Sequence, residues 1–282
     1  MFPAGRSEFR TRYLTLRSGL KTRAVECGSE TDPTVLLIHG WACSAYVFRE
    51  NFVALAKAGY HAIAVELKGH GLSDKPTSPS EYRLEPMRTH VEEIVDALGG
   101  SVIMCGLSMG AALGAHVAAR SPERVRALVM VSPVGFFGVP GLSVIRLATP
   151  LFVTRYLRHI VRRSTIQLML GFMNGRLREI TPQDVDEYWA PSQFPEFIAA
   201  TRHLLHEFDL HAPIVPLHVP LLIITGSRDY FMSGQSVRTY CEAMPSARHI
   251  EIRNAGHVVL DEAAPIVNDA MIEFFASATK AA

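Results

Sequence analysis

Three side chains, distant along the chain, carry hydrolytic chemistry by type. Ser108 stands in Gly106-Leu107-Ser108-Met109-Gly110, Asp229 in "TGSRDY" and His257 in "RNAGHVVLDEAAP". A serine hydroxyl is a poor nucleophile near neutral pH. It attacks a carbonyl when a base takes its proton, and the base works when a carboxylate orients it. A hydroxyl, an imidazole and a carboxylate meeting at one point would be an acyl-transfer site. In chain order they run Ser, Asp, His, the order found where the nucleophile sits on a strand-to-helix elbow.

That chemistry needs elements that bring the three together. "SVIMCG" reads as a buried strand and "MGAALGAHVAA" as the helix after it, so Ser108 falls on the corner between them. Such a corner is strained, and glycines two residues before and after let neighbouring backbone approach without a Cβ clash. The helix beginning at Met109 would aim unpaired N–H groups, and its positive end, at an anion forming beside Ser108. Asp229 follows the apolar run "PLLIITG" (220–226), and His257 follows "HIEIRNA" (249–255). Both positions are carboxyl ends of expected parallel strands, where open α/β sheets place their ligands.

The rest of the chain supplies such a sheet. "RYLTL" and "KTRAVEC" alternate polar and apolar residues, as an edge hairpin joined at "RSGL" would. "TVLLIHG" (34–40), "HAIAVEL" (61–67) and "VRALVMVSP" are continuous apolar runs suited to strands covered on both faces. Helical patterns lie between them, at about 47–57 and 86–98, and again at 234–243 and 263–276. The expectation is an α/β fold with a mostly parallel eight-stranded sheet flanked by helices. From 135 to 212 the pattern reads as helices only, too long for an ordinary connection. The expected division is a core of 1–134 and 213–282 carrying a helical insertion, 135–212. Within it, Thr181 and Pro182 mark the start of a helix.

Composition narrows the function. Lys plus Arg total 28 against 27 Asp plus Glu, a net charge of +1 over 282 residues. That balance supplies no global field for nucleic acid. The four cysteines, Cys27, Cys43, Cys105 and Cys241, show neither CxxC spacing nor a pattern with histidines, so packing thiols are expected rather than a redox or zinc site. No metal and no cofactor are expected. The first residues lack an apolar signal core and no run reaches the length of a membrane span, so the expected setting is soluble and cytoplasmic. Oligomeric state is not legible.

The chain resembles the α/β-hydrolase superfamily over nearly its whole length, on "GLSMG", "LIHGWACS", "VELKGHGLSD" and the placement of Asp229 and His257. The resemblance implies an α/β-hydrolase fold with an α-helical cap at 135–212. It makes Ser108 the nucleophile, His257 the base and then the acid, and Asp229 the orienting carboxylate. It also makes the backbone N–H groups of Trp41 and Met109 the oxyanion hole. Glu66 and Lys68 stand where the family pattern carries Asp and Arg, a departure expected to touch turn structure only. Relatives with aspartate as nucleophile act on haloalkanes or epoxides, and the serine here argues against both.

The implied function is hydrolysis of a carboxylic ester through an acyl-enzyme. The apolar, Met-bearing insertion points to a small or medium hydrophobic ester-type substrate. Carbon–carbon bond hydrolysis of a ring-fission diketone is the runner-up, and lactone or thioester hydrolysis and acyl transfer use the same machinery. A catalytically weak ligand receptor is the reading from a different class. Among other candidates, His39 and His70 are expected to brace backbone. Asp74, Asp209 and Asp261 compete less well than Asp229, since none directly follows a core strand. Arg155, Arg158, Arg162 and Arg163 recur at i, i+3, i+7 and i+8. A solvated helix face is the plain reading of that stripe, and contact with an anionic membrane surface the sharper one.

Overall fold

The computed structural model describes residues 1–136, 139, 141–150, 161–213, 216–232 and 234–278. Eight strands form one sheet: β1 Arg10–Thr15, β2 Lys21–Cys27, β3 Thr34–Ile38, β4 His61–Val65, β5 Val102–Leu107, β6 Val125–Val131, β7 Leu221–Gly226 and β8 Arg248–Ile252. Their order is β1-β2-β4-β3-β5-β6-β7-β8. The hairpin β1–β2 adds antiparallel at the β4 edge, and the other pairings are parallel. The α/β-hydrolase fold expected from the motifs is the fold observed.

The helices among the described residues are α1 Phe52–Lys57, α2 Leu84–Ala97, α3 Met109–Arg120, α4 Leu142–Ala148, α5 Arg163–Met173, α6 Pro182–Trp189, α7 Pro195–Glu207, α8 Gly234–Ala243, α9 Val259–Glu262 and α10 Ala264–Ala278. Strand side chains alternate between faces, so one sheet builds two cores. Val35, Leu37, Ile103 and Val129 pack with Phe52 and Leu55 of α1 and Met271 and Phe275 of α10. Leu36, Ile38, Met104 and Leu128 face the other way, against Met87 and Val91 of α2, Leu113 and Val117 of α3 and Tyr240 of α8. This double coverage is why the central strands read as unbroken apolar runs. Leu36 and Leu37 are both fully buried, and truncating either to alanine would cost about 2–5 kcal/mol.

Between β6 and β7 the described regular elements are helices only, α4 to α7 with a short 3-10 turn at Ala190–Gln193. Thr181 caps α6 as expected: its hydroxyl accepts from the Asp184 amide, and the Asp184 carboxylate accepts from the Thr181 amide. Arg155 and Arg158 of the arginine stripe lie outside the described residues. Arg163 pairs with Asp186 at 2.7 Å and lies over the Trp189 ring. No helix among the described residues is long and apolar enough to cross a membrane.

The segment expected as one helix over 47–57 is two pieces. A 3-10 turn covers Ala45–Phe48, capped by Ser44, and α1 starts at Phe52. The break lets Arg49 turn inward to Asp261 at 2.6 Å and Asp184 at 3.0 Å. It also lets Asn51 donate to Asn268 Oδ1 at 2.8 Å. Buried polar partners outweigh the gain from continuing a helix.

Candidate active site

The parallel register sets the site. Ile38 pairs with Gly106, Gly106 with Met130, Val131 with Ile224, and Gly226 with Ile252. The carboxyl ends of five strands, β3 and β5 to β8, therefore finish along one rim. Ser108 follows β5 directly, Asp229 follows β7 by three residues and His257 follows β8 by five.

Ser108 is half-buried and holds φ 55°, ψ −117°. A non-glycine residue there stores about 1–3 kcal/mol of strain and persists only when its surroundings fix it. Its amide donates to Val131 O at 2.9 Å, and its carbonyl accepts from Ala111 N–H at 3.0 Å and Val134 N–H at 3.3 Å. The flanking glycines are required by close approach: a Cβ on Gly106 would collide with the backbone of Gly110, and one on Gly110 with the carbonyl of Ile38.

Asp229 and His257 are in direct contact, with Oδ2 to Nδ1 at 2.8 Å. The carboxylate can only accept, so Nδ1 carries the proton, and in the neutral form of that tautomer Nε2 is the acceptor. The other oxygen of Asp229 accepts from the amides of Phe231 at 2.8 Å and Met232 at 3.3 Å. Both side chains are buried, 1% exposed for Asp229 and 6% for His257. The Phe231 ring packs on the imidazole, centroids 4.8 Å apart. Phe172 of α5 meets Phe231 edge-on and stacks on Tyr230, so aromatic rings run from the surface to the imidazole.

The loop after β3 lies against Ser108: a Cβ built on Gly40 would stand 3.1 Å from the Ser108 Cβ. His39 and His70 brace that loop. His39 Nε2 accepts from Leu67 N–H at 3.0 Å while Nδ1–H donates to Gly40 O at 2.8 Å. His70 Nε2 accepts from Ala42 N–H at 3.2 Å. Burial pushes His39 down to about 4 and His70 well below its ordinary value, keeping both neutral and able to accept. The Trp41 indole donates to Thr201 O of α7 at 2.8 Å. Among the described residues, the backbone N–H groups of Trp41 and Met109 donate to no protein acceptor.

The competing carboxylates are otherwise engaged. Asp74 accepts from Lys21 N–H, Asp209 from His211 N–H, and Asp261 pairs with Arg49 and Arg178. Glu66 and Lys68 do shape the turn after β4: Glu66 accepts from Arg23 and the Leu72 amide, and Lys68 pairs with Glu81. Cys43 and Cys105 are packed, and burial pushes each thiol up to about 12. No group of three or more His, Cys, Asp or Glu side chains among the described residues could hold a metal. Sequence reasoning missed Phe231, whose adjacency to Asp229 was its only signal, and Glu262, which bonds the turn before His257.

The family model described as "alpha/beta hydrolase fold" matches residues 33–264. Lipase 1 of Psychrobacter immobilis is 27% identical over 272 residues, covering 93% of this chain and 83% of that protein. Bifunctional epoxide hydrolase 2 of Sus scrofa is 33% identical over 143 residues, 50% of this chain and 25% of that protein. The solved structure of a Vigna radiata epoxide hydrolase mutant superposes with a TM-score of 0.82 at 20% identity, covering 96% of this chain and 100% of that one. The last likeness speaks to fold alone. With the family match spanning every strand from β3 to β8 and the elbow at Ser108, the chain belongs to the α/β-hydrolase fold family.

Proposed function

We propose that this α/β hydrolase is a serine hydrolase cleaving a carboxylic ester of a small to medium hydrophobic substrate through an acyl-enzyme. The observation that carries the reading is the 2.8 Å contact of His257 Nδ1 with Asp229, at the sheet rim where Ser108 holds its strained corner. In this reading Ser108 Oγ attacks the ester carbonyl as its proton passes to His257 Nε2. The Ser–C bond forms, and the carbonyl oxygen becomes an oxyanion received by the Trp41 and Met109 amides. Collapse breaks the bond to the alcohol oxygen, which takes the proton from His257. Water then attacks the acyl carbon as its proton passes to His257 Nε2; the bond from that carbon to Ser108 Oγ breaks, Oγ takes the proton back from His257, and the acid leaves.

Two features support the substrate class. A serine at the elbow forms an ester intermediate, whereas the superfamily resemblance ties epoxide and haloalkane chemistry to aspartate there. The rings of Phe172, Tyr230 and Phe231 offer an apolar approach to the imidazole. Helices α4 to α7 would act as the cap over that approach. Cys43 and Cys105, as buried neutral thiols, offer no rival nucleophile.

A panel of p-nitrophenyl esters, lactones, thioesters and vinylogous diketones, assayed with the native chain and with Ser108→Ala, tests this. Turnover of short esters that vanishes in Ser108→Ala is the expected result. Ester turnover unchanged in that variant, or turnover confined to the diketones, overturns it.

A further inference from the structure

The turn that carries His257 is stitched to the helical insertion along a short seam. His257 N–H donates to Met173 O at 2.8 Å, and Arg176 N–H donates to Asn254 O at 2.9 Å. One carboxylate spans the two sides of this seam. Glu262 Oε1 accepts from Gly256 N–H at 2.8 Å, and Oε2 accepts from Gly175 N–H at 2.6 Å. Glu262 is 7% exposed. The approach is close enough to need glycine on both sides: a Cβ on Gly175 would collide with the Asn254 carbonyl, and one on Gly256 with the Gly175 nitrogen. The preceding acid, Asp261, reaches the same insertion through Arg178 at 3.1 Å.

Two inward-facing amides, one from each side of the seam, need a group with two acceptors and no donor. A carboxylate is that group. A glutamine offers one oxygen and turns an N–H₂ against the other amide, leaving a buried donor unpaired. Gly256 is the residue immediately before His257, so the amide that Glu262 holds lies one peptide from the imidazole's own backbone.

We propose that Glu262 is a positioning residue: by clasping Gly256 to Gly175 it makes the place of the His257 imidazole depend on the seating of residues 173–176. The role rests on His257 acting as the base. It gives the insertion a second duty besides covering the substrate, because an insertion that lifts from the seam moves the base with it. Burial, the largest effect, pushes the Glu262 carboxyl above its ordinary value, and the two amides work against that rise.

Glu262→Gln, Glu262→Asp and Glu262→Ala test this with two readouts. Deuterium uptake in peptides covering 173–176 and 254–257 should rise together in Gln and Ala, with Asp intermediate. The His257 ring C–H signals, followed by NMR, should shift or broaden in the same order. Where the native chain hydrolyses esters, kcat should fall about ten- to a hundredfold in Gln with KM nearly constant, and recover in part in Asp. Unchanged uptake and ring signals in Gln overturn the proposal, whether or not the native chain turns over an ester. Raised uptake with unchanged ring signals and kcat also overturns it, since the seam would then hold nothing catalytic. Absent ester turnover with shifted ring signals leaves the clasp standing and rejects the ester reading instead. Should Glu262 variants fail to fold, Gly175→Ala breaks the seam from the insertion side and carries the same expectations.

Discussion

His257 Nδ1 lies 2.8 Å from Asp229 Oδ2, and the second oxygen of that carboxylate is held by the amide of Phe231 at 2.8 Å. Asp229 is thus fixed from behind and cannot turn away from the imidazole. The contact selects one tautomer, and it stabilises the imidazolium if a proton arrives at Nε2.

Asp229→Asn keeps the shape and loses the charge. The amide can present its N–H₂ to Nδ1 and favour the wrong tautomer. The expected outcome is a fall in kcat for short esters of about 10⁴-fold, with an unchanged far-UV spectrum. Steady-state kinetics on p-nitrophenyl acetate check it, and a loss under tenfold would contradict the orienting role.

Gly110→Ala places a methyl against the Ile38 carbonyl at the seat of α3. The expected cost is about 1–3 kcal/mol or more, seen as a lowered thermal midpoint. Gly100→Ala serves as control, because a Cβ there meets nothing within 4 Å. Equal midpoints for the two variants would show that the elbow does not need close packing.

Arg49 is 6% exposed and bridges Asp184 on α6 and Asp261 on α9. Arg49→Met leaves two buried carboxylates with Arg178 as their remaining cation. Breaking a buried pair in this way costs about 3–5 kcal/mol. Urea unfolding should show a lower midpoint with a similar slope; an unchanged midpoint would contradict a structural role for the network.

Acid should destabilise the fold through histidines held neutral. Burial lowers His39 from 6.5 to about 4, and burial aided by Lys68 lowers His90 from 6.5 to about 3. The unfolded chain takes up these protons near 6.5, and the folded chain takes them up only at the lower values. Between those limits the unfolded state binds more protons, so falling pH favours it. The stability is present above about 6.5 and is lost progressively as pH falls toward 4 and below. Urea midpoints across that window check this, and a flat midpoint would contradict it.

What the sequence disclosed and what it concealed divide by range. Ser108 was legible because its signal is local: an apolar run, two glycines and a helix within a dozen residues. The placement of Asp229 and His257 past the ends of β7 and β8 was legible because each follows a strand with its own pattern. The parallel core was legible because Leu36 and Leu37 must both be apolar when both faces are covered. The break at Arg49 was not, since its partner Asp261 lies 212 residues away. The same holds for Glu262 and Gly175, 87 residues apart, whose contact exists only once the insertion folds back over the rim. The Glu66 and Lys68 departures were legible as turn residues, but Arg23 as the partner of Glu66 was not.

The central claim is that Ser108 is a nucleophile activated by His257. Intact-mass and peptide mass spectrometry after treatment with a fluorophosphonate measure this directly. One adduct per chain, mapped to the peptide holding Ser108 and lost in both Ser108→Ala and His257→Gln, is the predicted result. No adduct on the native chain, or an adduct on another residue that survives Ser108→Ala, would contradict it.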